Sequence, residues 1–542
     1  GNQMAKLLNP SGSRYLYAYN TKQQLTYALS SDGQQYGFTY DSKGNVTNAT
    51  VTARKPAVTL ESGKEYYIVN ADTGLAIKSN QKGTGEDIGT NPYDPANSFF
   101  KWKLEAVNGE TNVYRLKSVG FPDQNYYMDV YNASAADGTR ITQYEGNGQK
   151  RQNFKIEKKK ENTYAIFTGT TDYVKTIEPN NNEAEIGSYT LLQQKTCDRN
   201  EMQESMLWYF YPVERTESRE LSTSASYTSS GNFAATTTDQ RGNVTQYNYT
   251  ENKGELNSVT DPLGRVTNYT YEGNMGKLTS VSSGGSTVNY SYDKDFLTEI
   301  YANNTVRYQF FYDQYGRGTD IKVGNGTTYR KLSGKMYNGA GLLSRQTYGN
   351  GDYIEYTYDN LDRLIREQYN GDSAQKVEYA YGSDGRLTQI TDGIAGKRTK
   401  YVYDFAGRTV SVREYEGTDV SQNDLKSSVT YEYADQTNYL IGVKHFSELG
   451  TQAIGYRYGN GSQGEMPDQI YGVTWNGTEK QSYTYDGLGR LTNRQIHVSP
   501  STMLNNTYSY VDVGEDKTTM LLKSMWNGAD LYSYEYDAAG NI

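Results

Sequence analysis

Residues 483–491, YTYDGLGRL, are one copy of a phrase that recurs through most of the chain. Tyrosines at alternate positions predict a β-strand with both rings on one face. Aspartate followed by glycine predicts a turn, because aspartate bonds its own downstream backbone and glycine accepts a positive φ. The phrase therefore predicts a β-hairpin. Other copies are FTYDSKGNV from Phe38, FFYDQYGRG from Phe310, YTYDNLDRL from Tyr356, YVYDFAGRT from Tyr401 and YEYDAAGNI from Tyr534.

The phrase has a regular period in the middle of the chain. A period near 21 residues accommodates two strands of about six to eight residues and two turns. One hairpin cannot bury its own face, so successive units must stack. The repeated aspartates and tyrosines are therefore predicted to be scaffold. The second tyrosine of the phrase falls at Tyr249, Tyr271, Tyr292, Tyr312, Tyr337, Tyr358, Tyr381 and Tyr403.

The composition favours an all-β protein with a long sheet whose two faces are polar. The 542 residues include 55 tyrosines and 54 glycines, and the mean hydropathy is −0.83. Such a low value is typical of disorder, but an aromatic fraction of 13% argues against it. A net charge of −9 argues against a nucleic-acid partner. We find no run of 18 apolar residues, so the sequence predicts no membrane span.

The YDxxGR units, with variants such as TDPLGRVTNYTYE from Thr260, resemble the YD repeats of the RHS family over residues 1–54 and 217–542. The resemblance implies a β-hairpin sheet that spirals into a hollow shell. In the toxins of that family the shell encloses a C-terminal toxic domain. Their self-cleaving members carry catalytic aspartates after the last repeat. Because this chain stops inside a repeat at Ile542, we expect a fragment of a longer secreted or cell-wall-associated protein.

Residues 55–216 interrupt the repeats with three other phrases, FKWKL from Phe100, QNFKI from Gln152 and MLWYF from Met206. These phrases start 52 and 54 residues apart. Three similar lobes, each ending in an aromatic core residue, predict a threefold β-trefoil. The aromatic side chains are then expected to meet near its pseudo-threefold axis; they are Trp102, Phe154 and Trp208.

The three lobes resemble a ricin-type lectin domain, in which each lobe ends in Gln-x-Trp. Lobe two alone keeps the glutamine, at Gln152, because Phe100 and Met206 stand at the corresponding positions of lobes one and three. The resemblance implies a shallow sugar site in lobe two. Its residues are Asp129, Thr142, Tyr144, Asn147, Arg151 and Gln152.

Each residue of the lobe-two site has a role that the resemblance implies. Asp129 is expected to accept hydrogen bonds from sugar hydroxyls, and Tyr144 to stack on the pyranose. Thr142 and Arg151 stand where the family often has amides, and Asn147 is close enough to substitute. The alternative is that the trefoil is a spacer and Asp129 only caps a turn.

Lobes one and three are expected to bind no sugar. Ala76 and Lys175 are predicted to stand where lobe two has its aspartate, and neither side chain can accept a hydrogen bond from a hydroxyl. Any glycan binding is therefore predicted to depend on lobe two alone.

No catalytic or metal site is predicted. His445 and His497 have no partner at metal-ligand spacing, and Cys197 has no neighbouring histidine. With one cysteine in the chain, an internal disulfide is impossible. We therefore expect a protein that is not an enzyme and needs no cofactor.

The sequence predicts a segment of an encapsulating shell, with a C-terminal toxin as its cargo and a glycan as a second partner. Two alternatives remain open. In the first, the chain is a surface adhesin whose repeats are only a stalk for a lectin. In the second, it is a carbohydrate-active enzyme with a binding module; such an enzyme needs a carboxylate pair about 5 Å apart, which a sequence with 63 acidic residues neither supplies nor excludes.

Overall fold

The computed structural model describes all of the chain except residues 1–5, 9–13, 31–32, 54–56, 58, 81, 92–96, 160–162, 181–189, 214–218, 274–275, 303–305, 420–423, 436, 460–464, 467 and 500–501. The described part is all-β, as predicted, and forms one sheet of 32 strands and one of 13. The predicted domain boundaries, at 54–55 and 216–217, lie outside the described residues.

Thirty-two strands of the described chain form the large sheet. Its first five strands are β1 Lys6–Leu8, β2 Arg14–Tyr19, β3 Leu25–Ser30, β4 Gln34–Tyr40 and β5 Val46–Ala53. The others are β19 Leu221–Tyr227, β20 Ala234–Thr238, β21 Val244–Thr250, β22 Glu255–Thr260, β23 Val266–Tyr271, β24 Leu278–Ser283, β25 Ser286–Asp293, β26 Phe296–Ala302, β27 Val306–Tyr312, β28 Gly318–Gly324, β29 Tyr329–Tyr337, β30 Leu343–Tyr348, β31 Tyr353–Tyr358, β32 Leu364–Tyr369, β33 Lys376–Tyr381, β34 Leu387–Asp392, β35 Lys397–Tyr403, β36 Thr409–Glu416, β37 Leu425–Tyr433, β38 Leu440–Ser447, β39 Gly450–Tyr458, β40 Ile470–Trp475, β41 Thr478–Tyr485, β42 Leu491–Ser499, β43 Thr502–Val513, β44 Lys517–Trp526 and β45 Leu531–Ser533.

The remaining strands form the smaller sheet. They are β6 Glu65–Asn70, β7 Ala76–Lys78, β8 Glu86–Asp87, β9 Gly89–Asn91, β10 Lys101–Ala106, β11 Val113–Ser118, β12 Tyr126–Val130, β13 Ile141–Glu145, β14 Phe154–Lys158, β15 Tyr164–Thr168, β16 Lys175–Pro179, β17 Thr190–Thr196 and β18 Leu207–Pro212. Short 3-10 turns cover Ser98–Phe100, Tyr131–Ala133, Lys150–Gln152, Gly169–Thr171 and Glu204–Met206.

The large sheet is an antiparallel meander in which each strand pairs with the next one along the chain. The exception in sequence is β5, which pairs directly with β19, with Leu221 opposite Val51. The smaller sheet is therefore an insertion between two neighbouring strands of the large one. The meander continues on both sides of the insertion without a missing strand.

The turn between β31 and β32 shows why the phrase is repeated. Oδ1 of Asp359 accepts the backbone N–H groups of Leu361 at 2.8 Å and Arg363 at 3.0 Å. Oδ2 accepts Nε of Arg363 at 2.7 Å. The Arg363 guanidinium lies 4.6 Å from the ring centre of Tyr381, whose hydroxyl donates to the carbonyl of Leu364 at 2.8 Å. Each turn therefore clamps the tyrosine of the next hairpin.

The same tyrosine-to-carbonyl bond recurs along the sheet, so the units are coupled to their neighbours one after another. It joins Tyr271 to Leu256, Tyr292 to Leu278, Tyr312 to Leu297, Tyr337 to Gly318, Tyr358 to Leu343, Tyr403 to Leu387, Tyr433 to Thr409, Tyr458 to Leu440, Tyr485 to Ile470, Tyr510 to Leu491 and Tyr536 to Leu522.

The large sheet is one layer thick over the repeats. Both buried hydrophobic clusters of the described structure lie between Tyr27 and Val213, and no described residue beyond Val213 belongs to either. A sheet that packed on a second layer would place a continuous apolar core on one face. The stability of this wall therefore comes from strand pairing and from the turn clamps.

The sheet curls until its late strands reach its early ones. The N–H of Glu220 donates to the carbonyl of Asp516 at 2.8 Å, and the N–H of Thr518 donates to the carbonyl of Glu220 at 3.0 Å. The guanidinium of Arg241 donates to the carbonyls of Asp537 at 2.7 Å and Ala538 at 3.1 Å. About 25 strand spacings of ~4.8 Å separate the two sides of this seam, which corresponds to a circumference of roughly 120 Å.

The smaller sheet is a β-trefoil, as predicted. Strands β6, β10, β11, β14, β15 and β18 pair in a closed six-stranded ring. Each lobe adds one hairpin, namely β7–β9, β12–β13 and β16–β17. Trp102, Phe154 and Trp208 are fully buried in one core cluster, which confirms the prediction that the three aromatic phrases supply the core.

The trefoil is packed against the large sheet and not merely tethered to it. Strands β6, β15 and β18 are buried on both faces. Their outward side chains, which include Val69, Phe167 and Tyr209, form a second buried cluster with Leu29 of β3. This cluster takes its trefoil members from lobes one and three and none from lobe two. Among the described residues, lobe two therefore contributes nothing to this contact with the large sheet.

Candidate functional site

The lobe-two residues that the sequence singles out come together at the β12–β13 hairpin. This hairpin places Asp129 opposite Thr142 and Tyr127 opposite Tyr144. The 3-10 turn Lys150–Gln152 then brings Arg151 to the carboxylate, with Nε 3.1 Å from Oδ2 of Asp129. The Asp129 side chain is only 1% exposed, so this ion pair is largely sheltered from solvent.

Arg151 lies between the two groups that the resemblance assigns to the sugar. Its guanidinium is 4.5 Å from the ring centre of Tyr144 and close to the carboxylate of Asp129. The space between carboxylate and aromatic ring is thus filled by a side chain of the protein itself. The sequence showed that Arg151 replaces the amide common in the family, but the location of its guanidinium is known only from the structure.

Gln152 and Asn147 organise the loop beside this ion pair. The backbone N–H of Asn147 donates to Oε1 of Gln152 at 3.1 Å, and Nε2 of Gln152 donates to the carbonyl of Glu145 at 2.9 Å. Oδ1 of Asn147 accepts the N–H of Gln149 at 3.0 Å. Gln152 is fully buried, so it supports the site from below, while Asn147 is exposed.

Three polar atoms at this place have no hydrogen-bond partner among the described residues. They are Oδ2 of Asp129, Oγ1 of Thr142 and Nε of Arg151. The 3.1 Å contact of Asp129 with Arg151 is therefore held by charge and not by an aligned hydrogen bond. Buried polar atoms are normally satisfied, so each of these three atoms calls for an explanation.

Burial raises the pKa of Asp129 to about 6. The positive charge of Arg151 and a hydrogen bond from Gln152 act in the opposite direction, but desolvation is the larger effect. The carboxylate is therefore ionised and paired at neutral pH, and it becomes neutral under mildly acidic conditions.

The expectation that Ala76 and Lys175 correspond to Asp129 is wrong. The indole N–H groups of Trp102 and Trp208 donate to the carbonyls of Ile77 and Ile177 at 3.1 and 3.3 Å. These isoleucines are therefore equivalent positions, and Met128 occupies the same buried place in lobe two. The residue that follows is Lys78 in lobe one, Asp129 in lobe two and Glu178 in lobe three. The sequence comparison misaligned the strands because the lobes differ in loop length.

Glu178 was missed by the sequence comparison, and lobe three holds it with polar groups. It is 4% exposed. Gln193 donates to its Oε1 at 3.1 Å, Lys195 lies 3.3 Å from Oε1, and Ser205 donates to Oε2 at 3.5 Å. By strand register Lys195 stands where lobe two has Tyr144, so lobe three has no ring for stacking. The sequence signal for this position is an acidic residue directly after a buried aliphatic residue, as Glu178 follows Ile177 and Asp129 follows Met128.

The other chemically reactive residues are scattered. His497 lies 3.7 Å from Glu479 across two strands of the wall, and Cys197 lies in the trefoil, where Sγ is 3.9 Å from the carbonyl of Val174. Within the described ranges, no group of three or more His, Cys, Asp or Glu side chains is arranged to hold a metal ion. No helix among the described residues is long and apolar enough to cross a membrane.

A sequence profile described as ricin-type beta-trefoil lectin domain-like matches residues 34–144 and 100–194. The chain contains a ricin-type β-trefoil lectin-like domain. The first residues of the match, 34–53, belong to β4 and β5 of the large sheet, and the trefoil strands begin at β6. No curated protein matches the chain.

Three solved structures illustrate what the chain is similar to. The designed threefold-symmetric protein ThreeFoil is 19% identical, covering 27% of this chain and 97% of its own, with a TM-score of 0.24. The Polyporus squamosus lectin bound to a human-type influenza-binding epitope is 21% identical, covering 28% and 50%, with a TM-score of 0.23. TcdB2-TccC3 is 12% identical, covering 97% of this chain and 38% of its own, with a TM-score of 0.34.

Proposed function

We propose that this chain is a wall segment of an encapsulating YD-repeat shell in a large secreted or cell-wall-associated protein. The wall is not an enzyme, and it encloses a C-terminal toxin of the longer polypeptide. The observation that supports enclosure is the seam between Glu220 and the segment Asp516–Thr518, where a one-layer sheet returns to its own early strands. A stalk needs no such closure.

Glycan binding by the trefoil is the second half of the proposal. Side chains of lobes one and three form the cluster that meets Leu29 of the large sheet, and no described residue of lobe two belongs to it, so lobe two is the part of the lectin-like domain that we expect a cell-surface glycan to reach. Shallow sites of this kind bind each sugar weakly, since hydroxyls exchange water for protein at little net gain.

A glycan array tests the lectin half, and it requires the whole chain. Residues 55–216 alone would expose the apolar cluster that includes Val69, Phe167 and Tyr209. We expect wild type to bind and a double variant, Asp129→Ala with Tyr144→Ala, to lose binding.

The trefoil offers a matched control for that double variant. Asp87, Arg140 and Tyr131 repeat the arrangement of the site, since Arg140 lies 2.8 Å from Asp87 and 4.3 Å from the ring centre of Tyr131. The variant Asp87→Ala with Tyr131→Ala should keep binding. If wild type binds no glycan, the trefoil is a spacer; if both double variants lose binding equally, the site is elsewhere.

Electron microscopy of the chain tests the wall half. A closed wall is expected to give ring-shaped views roughly 40 Å across, from the strand spacing and the number of strands between the two sides of the seam. Open, flat or twisted ribbons would contradict enclosure and favour the adhesin. Hydrolysis of any glycan on the array, lost on changing one carboxylate, would contradict the non-enzymatic assignment.

A further inference from the structure

We propose that lobe two selects a sugar that carries an anionic group, a carboxylate or a sulfate ester, and that Arg151 is the residue that selects it. This inference rests on the proposed glycan binding and states which chemical class of glycan the site takes. It follows from the location of the guanidinium, from the N–H groups that it leaves free and from a second guanidinium, that of Arg115, beside the same loop.

The location of Arg151 excludes the usual way of holding a neutral sugar. A neutral pyranose needs an accessible carboxylate for its hydroxyls and a free aromatic face for its ring. Here Asp129 is 1% exposed with Nε of Arg151 at 3.1 Å, and the same guanidinium covers Tyr144 at 4.5 Å. A neutral sugar would have to displace Arg151 and separate a buried ion pair, which is strongly unfavourable.

The guanidinium still has binding capacity of its own. Arg151 uses Nε toward Asp129, its side chain is 15% exposed, and no described residue accepts a hydrogen bond from Nη1 or Nη2. Two parallel N–H groups of a guanidinium match the two oxygens of a carboxylate or a sulfate. Asp129 and Tyr144 then act as positioning residues that hold these two N–H groups, the fork of the guanidinium, in one orientation.

Asp129 and Thr142 make the floor of the site polar. Asp129 and Thr142 face each other across the hairpin, each is 1% exposed, and each has a side-chain oxygen without a hydrogen-bond partner among the described residues. At 1% exposure these two oxygens are out of reach of any sugar while Arg151 stays paired with Asp129, so the ligand contacts the guanidinium itself.

The loop beside Arg151 carries charges of both signs, since Glu145 begins it and the charge of Lys150 is balanced by Asp172. Arg115 donates from Nη2 to the carbonyl of Gly148 at 3.1 Å and from Nε to Asn153 at 3.1 Å, so a second guanidinium borders this loop. Lys150 precedes Arg151 and is paired with Asp172. Lobe three has Ser205 at the position of Arg151, by its place before the core phrase, so its acid Glu178 lacks a guanidinium. Lobe three therefore lacks this arrangement at the equivalent position.

The test measures how the whole chain binds to matched pairs of glycans on an array. The array carries sialylated, uronic-acid-bearing and sulfated oligosaccharides, each beside its neutral parent. Wild type is expected to bind the acidic member about 10- to 100-fold more tightly, the value of one or two charge-assisted hydrogen bonds. The preference should fall as salt is raised from low to physiological strength. The three acidic arms show whether the anion is a carboxylate or a sulfate.

Variants at position 151 separate selection from folding. Arg151→Asn restores the amide that the resemblance leads one to expect, and it should abolish the acidic preference while allowing neutral sugars to bind. Arg151→Lys keeps the charge next to Asp129 but lacks the fork, and it should retain a preference reduced about tenfold. Arg140→Asn removes the matched guanidinium over Tyr131 and should change nothing.

The outcomes distinguish this inference from the proposed function. Tighter binding of neutral parents by wild type, or an unchanged acidic preference in Arg151→Asn with its fold intact by thermal melting, overturns the role of Arg151 and leaves glycan binding in place. Absence of binding to every glycan by wild type and by all variants overturns glycan binding itself.

Discussion

The trefoil and the wall are built from the same kind of strand but are stabilised in different ways. The trefoil buries Trp102, Phe154 and Trp208 without exposure in one apolar core. The wall has no comparable cluster among its described residues beyond Val213, and its strands are held by repeated turn clamps such as Asp359 with Arg363. Stability is therefore concentrated in a few residues in the trefoil and distributed over many similar links in the wall.

Because of this difference, the two regions should tolerate amino-acid substitutions to different degrees. Removing one large core side chain leaves a cavity that its neighbours cannot fill, so the loss is large. Removing one clamp leaves the neighbouring clamps intact, since each unit contacts only its neighbours. Repeated phrases are thus a robust way to build a thin wall, whereas the trefoil depends on particular residues.

The largest expected effect is in the trefoil core. Trp208→Ala should lower the free energy of unfolding of the trefoil by about 3–5 kcal/mol, because the indole is fully buried and bonded to Ile177. Urea unfolding monitored by hydrogen exchange of the trefoil strands measures it. Trp475→Ala, at a wall tryptophan that is 40% exposed, is the control. Equal losses in the two variants would remove the distinction drawn between core and wall.

The second effect tests whether the two regions are coupled. Leu29 belongs to the wall, is 2% exposed and packs with trefoil residues. Leu29→Ala should destabilise the joint by about 2–5 kcal/mol and increase proteolysis and hydrogen exchange in β6 and β18. The exposed wall residue Leu361 provides a control in Leu361→Ala, which should have no such effect. Unchanged exchange in β6 and β18 would mean that the trefoil is stable without its contact with the wall.

A single clamp should have a smaller effect. Tyr381→Phe removes the hydroxyl bond to Leu364 but keeps the ring below Arg363. The expected loss is about 0.5–1.5 kcal/mol, the net value of one hydrogen bond, measured by urea unfolding. Tyr315→Phe, at a turn tip that is 73% exposed, should be neutral. A loss of several kcal/mol for Tyr381→Phe would show that the units are coupled over a longer range than neighbours.

The smallest expected effect is that the stability contributions of two aspartates change in opposite directions as the pH rises. In the wall, the side chain and backbone N–H of Arg363 lower the pKa of Asp359. Its contribution to stability is therefore present above the unfolded pKa near 3.8 and is lost as the pH falls through the lower folded pKa. In the trefoil, burial raises the pKa of Asp129 to about 6, so its contribution is full below 3.8 and is lost as the pH rises through about 6.

The measurement is the free energy of unfolding between pH 3 and 7 for wild type, Asp359→Asn and Asp129→Asn, which gives the slope of stability against pH for each aspartate. The Asp359 variant should be less sensitive to acid than wild type, and the Asp129 variant should lose less stability between pH 4 and 7. Slopes of the same sign for both aspartates would show that burial does not dominate at Asp129.

Much of the architecture was accessible from the sequence because it rests on short-range rules. The phrase at residues 483–491 predicted strand, turn and strand, and the structure has β41, a turn and β42 there. The three aromatic phrases predicted the trefoil core, and their side chains share one cluster. Both signals depend on residues a few positions apart, whose spacing directly sets which side chains share a face.

The candidate site was only partly accessible. Its six residues do gather around one hairpin and one loop of lobe two. The equivalence of Glu178 with Asp129 was missed, since loop lengths differ between lobes and the strand pairing that aligns them is visible only in the structure. No spacing in the sequence shows that Arg151 lies over Tyr144, because a long flexible side chain takes its position from its neighbours.

Periodic patterns act locally, so the repeating hairpins, the interruption and the threefold core could be predicted from the sequence. The seam between Glu220 and Asp516, the packing of trefoil side chains against Leu29, and the pairing of Arg151 with Asp129 became visible only in the folded structure. These contacts join residues far apart in the chain or depend on the curvature accumulated over many strands. Small twists at each strand add up over the whole sheet, and no single phrase records their sum.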